Sequence, residues 1–98
     1  MSPTTLSVLQ AIADGVAYGF DILDVTGLES GTVYPILSRL ERDGLVRSHW
    51  ENETRAHAQG RPARRNYALT ALGTRALETA TAHYAALLPS LSRARKAR

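Results

Sequence analysis

The run from Ser30 to Val46, SGTVYPILSRLERDGLV, sets the tightest limit on what this chain can become. Val33, Ile36, Leu37 and Leu40 recur at i, i+3, i+4 and i+7, the spacing of one buried helix face. The other side carries Thr32, Arg39 and Arg42, so the helix has one face for a core and one for something outside it. Ser30 is a natural N-cap, but that start puts Pro35 inside the helix. A start at Thr32 places Pro35 at the third helical position, where a missing N–H costs nothing. Both starts fit the sequence. Directly after Asp43-Gly44, LVRSHW alternates, with Leu45, Arg47 and His49 on one side and Val46, Ser48 and Trp50 on the other, as a half-exposed strand does.

The flanking segments fit around this pair. Ser2-Pro3 reads as an N-cap with proline at the first helical position. Leu6, Leu9 and Ala13, flanked by Val8 and Ile12, then form a stripe that stops at Gly15. YGFDILDVTG is a second helical segment of about two turns, with Phe20, Ile22, Leu23 and Val25 as core candidates and Gly27 as its stop. RRNYAL, ending at Thr70, is the return strand. Between the strands, Glu51 to Arg64 holds Gly60, Pro62 and almost no large apolar side chain, and reads as the mobile tip of a long hairpin. Thr70 caps a last helix on which Leu77, Ala80, Tyr84 and Leu87 or Leu88 recur up to Pro89. So narrow a stripe on an alanine-rich helix points to packing against a second copy, and SRARKAR after it reads as a loose basic tail.

The expected fold is therefore mainly α with a small β-hairpin. A winged helix-turn-helix occupies 1–70, a C-terminal dimerisation helix 71–89 and a basic flexible tail 90–98.

Charge separates along the chain. Met1 to Gly44 carries two arginines against six carboxylates, net −4, whereas Leu45 to Arg98 carries ten basic residues against three carboxylates, net +7. A chain so divided presents a basic face to a polyanion, the plainer alternative being arginines that only solubilise the surface. At 98 residues it is one domain, near the size where an interface with a second copy adds useful burial. Without cysteine it has neither disulfides nor thiolate metal sites. HExxH and P-loop motifs are lacking, and His49, His57 and His83 have no persuasive ligand spacing, so neither an enzyme nor a cofactor or metal is expected. No apolar run reaches membrane-spanning length and no secretory signal is seen, so the expectation is a cytoplasmic protein.

In a winged helix the third helix is narrow enough for the major groove of double-stranded DNA, and a basic hairpin reaches phosphates or the adjacent minor groove. Ser30, Thr32 and Tyr34 put hydroxyls at the helix start, where backbone N–H groups and the helix dipole favour phosphate. Ser38 and Arg39 lie further along for a base edge or a second phosphate, and Arg61, Arg64 and Arg65 are placed to clamp the backbone from the wing. Each has a plainer alternative: Tyr34 packs over the turn, Arg39 and Arg42 are solvated or pair with Glu41 and Asp43, and Trp50 closes the core beneath the hairpin. Phe20, His49, Trp50 and Tyr84 are candidate walls for a small aromatic effector. The rival function is a protein-interaction adaptor without specific DNA binding.

YGFDIL, then SGTVYPILSRLERDGLV, then GRPARRNYALTALG, in that order, resemble the PadR family of transcriptional regulators over Leu6 to Leu77. The resemblance implies a homodimeric winged-helix repressor on a palindromic operator. In such a protein the helix near Ser30 reads the major groove, Tyr34 lies close to the backbone, and Arg61, Arg64 and Arg65 approach the minor groove. It also implies a terminal helix paired with its copy, which makes Leu77, Ala80, Tyr84, Leu87 and Leu88 the candidate dimer interface. Two features depart from many relatives: a short segment between Tyr18-Gly19 and Gly31, and a single helix after Thr70, as in the compact subgroup.

Overall fold

The computed structural model describes the backbone of residues 1–96 and the side chains of residues 1–88. Helix α1 (Pro3–Ala13) starts where Ser2 Oγ accepts the Thr5 N–H at 3.2 Å, with proline in the first turn. Val8, Leu9, Ala11 and Ile12 are its buried residues. Ala13, expected in the stripe, is exposed instead: it lies about 100° beyond Ile12 around the helix, past the edge of the inward face.

Helix α2 (Gly19–Thr26) ends at Gly27, whose φ of +70° is the left-handed conformation that glycine adopts without penalty. Only Ile22 is a fully buried large side chain here, with Leu23 half-buried. Phe20 and Val25, expected in the core, are 73% and 61% exposed. Two turns bring one narrow stripe to the core, and Phe20, two residues before Ile22, points about 200° away from it.

Helix α3 (Ser30–Arg42) buries Val33, Ile36, Leu37 and Leu40, as its spacing predicts. Its cap is Glu29, so Ser30 is the first helical residue and neither expected start is the one adopted. Pro35 sits inside the helix with no N–H for the Gly31 carbonyl. Upstream of it, the Thr32 and Val33 N–H groups both donate to the Glu29 carbonyl at 3.0 Å, a tightened first turn.

Strands β1 (Val46–Trp50) and β2 (Arg65–Leu69) are antiparallel, with Val46 opposite Leu69, Ser48 opposite Tyr67 and Trp50 opposite Arg65. The loop before α2 joins them: the Tyr67 N–H donates to the Ala17 carbonyl at 2.7 Å, and Tyr18 bridges to Asn66. The hairpin tip is not the bare loop its composition suggests. It contains α4 (Glu53–Ala58), capped by Asn52 Oδ1 on the Arg55 N–H at 3.0 Å, and seats Ala56 with 1% exposure.

Helix α5 (Ala71–Lys96) begins where Thr70 Oγ1 accepts the Gly73 N–H at 3.0 Å. Its backbone passes residue 89 as helix, so the boundary expected at Pro89 is absent; proline removes one hydrogen bond without necessarily ending a helix. Residues 97–98 of the expected tail, and the side chains from 89 onward, lie outside the described residues. The core gathers α1, α2 and α3 against Val46, Tyr67 and Leu77. The 26 residues of α5 span about 39 Å. In a molecule 60 Å long, that helix packs on the core through Leu77 and still borders α1 as far as Leu88.

Candidate nucleic-acid interface

Since Val33, Ile36, Leu37 and Leu40 fix the roll of α3, its remaining positions have a determined direction. Ser30, Thr32, Tyr34, Ser38 and Arg39 are all exposed. Tyr34 is 41% exposed and lies across the start of α2, where a Cβ on residue 19 would stand 2.8 Å from its Cε1 and hydroxyl. Glycine at 19 is what allows that approach. Packing over the turn and remaining accessible are thus both true of Tyr34. Among the described residues Arg39 forms no ion pair, while Arg42 Nε meets Asp43 at 3.2 Å on the open surface.

The wing arginines were expected free for phosphate; the structure places each against a carboxylate of its own chain. Arg61 contacts both Glu51 oxygens, with Nη2 to Oε2 at 3.0 Å, and also reaches Gln59. Arg64 donates its backbone N–H to Glu51 Oε1 at 2.8 Å and its Nε to the same oxygen at 3.1 Å. Its guanidinium stands 3.8 Å above the Tyr18 ring. The Arg61 hydrogen bonds first, and those of Arg64 after them, hold the Glu51 carboxyl well below the usual carboxylate range, and Glu51 in turn raises Arg64.

Arg65 forms a second network. Its Nε donates to Ser48 Oγ at 2.8 Å and its Nη2 to Glu41 Oε1 at 3.1 Å, while the Ser48 hydroxyl donates to Glu41 Oε2 at 2.6 Å. The end of α3 is thereby tied to both strands of the wing. Glu51 and Tyr18 were not among the residues the sequence pointed to, and Glu41, expected as a partner of Arg39 or Arg42, pairs with Arg65 instead. The signal for Glu51 was its place beside β1 as one of two carboxylates in an otherwise basic hairpin.

Trp50 does not close the core: it is 64% exposed, with the Arg65 guanidinium 5.8 Å from its ring. It lines a cleft of about 420 Å³ with Tyr18, Phe20, Tyr34, Arg64 and Tyr67. The four expected effector-wall residues do not share one cavity. Phe20 and Trp50 meet in this cleft, His49 does not line it, and Tyr84 lies on α5, where its hydroxyl donates to the Met1 carbonyl at 2.8 Å.

Of the expected interface residues on α5, Leu77 belongs to the chain's own core and Ala80 is also buried within the protomer. Leu87 and Leu88 are exposed. Along α1, Leu88 and Tyr84 border an apolar groove of about 880 Å³ with Leu6, Val16 and Val25. Among the described residues, no helix is long and apolar enough to cross a membrane.

The sequence model of a family described as the transcriptional regulator PadR-like family matches residues 8–79. The structure is similar to that of a PadR-like transcription factor from Bacteroides fragilis, at 26% identity and a TM-score of 0.73, covering 91% of this chain and 86% of that one. A PadR family regulator from Clostridium difficile shares the fold at 22% identity and a TM-score of 0.81, covering 94% of this chain and 97% of that one. Another from Eggerthella lenta shares it at 24% identity and a TM-score of 0.74, covering 93% and 82%. No curated protein matches the sequence.

Proposed function

Because the chain belongs to the PadR-like family of transcriptional regulators, we propose that it acts as a homodimeric repressor that reads a palindromic operator through α3. The observation that carries this reading is the two-sidedness of α3: four apolar residues seated in the core leave Ser30, Thr32, Tyr34, Ser38 and Arg39 together on solvent. Hydroxyls at the helix start suit phosphate, and Arg39, further along, suits a base edge or a second phosphate. Two copies joined through the free part of α5 set two such helices roughly 34 Å apart, one turn of DNA. Occupation of a promoter by that dimer then excludes polymerase. With the expected effector walls divided between distant parts of the protomer, the proposal is confined to DNA and a second copy.

Selection of genomic fragments with purified protein, followed by binding to the recovered duplex at two salt concentrations, tests the reading. The expected result is a palindrome bound by one dimer with about 10³-fold or greater preference over random DNA. Uniform weak binding would replace it with an architectural DNA coater. Folded protein that binds no DNA would favour the protein-interaction adaptor.

A further inference from the structure

We propose that the cleft between the start of α2, the start of α3 and the wing takes one strand of the DNA backbone by its deoxyribose faces. Phe20 and Trp50 are the contacting side chains, and the wing arginines hold the surface that presents them. The inference rests on the DNA-binding reading above and names the part of the partner that this surface meets.

Three observations support it. Phe20 and Trp50 are 73% and 64% exposed, and two large aromatics left open beside one cleft of a small domain mark a contact surface. The cleft is continuous with the DNA-facing side of α3, because Tyr34 belongs to both. The third is the charge balance. Arg61, Arg64 and Arg65 are bonded to Glu51 and Glu41, so three guanidiniums face two carboxylates and a phosphate would have to displace a carboxylate already in place. Arg47 and Arg55 are exposed and form no ion pair among the described residues, but neither lines the cleft, and what the cleft itself offers without an ion-pair partner is aromatic. A DNA strand suits such a site, since its phosphates reach the hydroxyls and Arg39 on α3 while its sugars present apolar faces to the aromatics.

The arginines then act as positioning groups. Arg65 stands 5.8 Å from the Trp50 ring and ties its strand to Glu41 of α3, and Arg64 covers Tyr18 at the cleft floor. Contact through sugars carries no sequence information and releases no counterions, so it raises affinity for all duplexes equally and leaves the salt dependence unchanged.

The test is binding of the full chain to a mixed-sequence duplex of about 30 base pairs, enough for two half-sites, across a range of salt concentrations. Wild type is compared with Phe20→Ala, Trp50→Ala and Trp50→Phe. Each alanine variant is expected to lose about tenfold in affinity, with the slope of log K against log salt unchanged and thermal unfolding like wild type. Trp50→Phe should recover most of the loss. Alanine variants that bind as tightly as wild type would overturn the inference alone and leave the cleft to a small planar ligand. A shallower slope in Trp50→Ala would also overturn it, by showing that the residue supports an ionic contact. Wild-type protein that binds neither this duplex nor any selected genomic fragment overturns both this inference and the regulator reading.

Discussion

At the scale of single residues, Glu51 is the group on which the wing's local order depends. One carboxylate receives hydrogen bonds from Arg61, from Arg64 and from the Arg64 backbone N–H. Because its folded-state pKa lies below its unfolded one, the folded chain binds fewer protons through the carboxylate range. The stabilisation is therefore complete above about pH 4.3 and is lost as pH falls further. Glu51→Gln should unfold at a lower temperature than wild type at pH 7, and the gap between them should narrow as pH drops below that value; melting curves over a pH series check it. Gly73 is a second such residue for a different reason. A Cβ there would stand 1.9 Å from the Leu45 carbonyl oxygen, a backbone atom that cannot swing aside. Gly73→Ala should cost about 1–3 kcal/mol or more by overpacking, read as a drop in the urea midpoint.

Among the elements, α5 divides its length between two tasks. Leu77 and Ala80 are buried within the protomer, whereas Leu87 and Leu88, 42% and 61% exposed, lie further along, at the edge of the groove beside α1. Replacing Leu87 and Leu88 together by aspartate should give a folded monomer, seen as halved mass in sedimentation with helical circular dichroism retained. Leu77→Ala should instead cost about 2–5 kcal/mol of stability. The sequence stripe on α5 ran through both parts because helical spacing reports a shared face and not what that face meets. Other elements were legible in proportion to their apolar content. The four core residues of α3 determined its roll from sequence, and Thr70 marked the start of α5. Only Ala56 of α4 is buried, so no periodicity announced that helix. Of the four apolar candidates in α2, two proved exposed, since two turns present too narrow a face to hold them all. At the candidate interface, the residues on α3 were legible because the core dictates their direction. The state of the wing arginines was not, because their partners Glu51 and Glu41 are brought to them only by the hairpin and by the packing of α3 on β1.

For the whole molecule, net charge alone overstates how much of the basic second half faces a polyanion. Three of its arginines are engaged by Glu41 and Glu51, while among the described residues Arg47, Arg55 and Arg75 of that half, and Arg39 on α3, form no ion pair. Salt dependence separates these two classes, since each phosphate neutralised adds about 0.9 to the slope of log K against log salt. The proposed dimer would present every residue twice. Arg39→Ala should therefore reduce the slope by about 1.8, with a loss of affinity that shrinks as salt rises. Arg61→Ala should weaken binding through a less ordered wing while leaving the slope as it is. Isotherms of both variants on one duplex at four or five salt concentrations, about 50 to 200 mM, distinguish the two. Equal reductions in slope would mean that DNA draws Arg61 away from Glu51 on binding; a reduction confined to Arg39→Ala would mean that the wing's ion pairs persist in the complex and that α3 carries the electrostatic part of the contact.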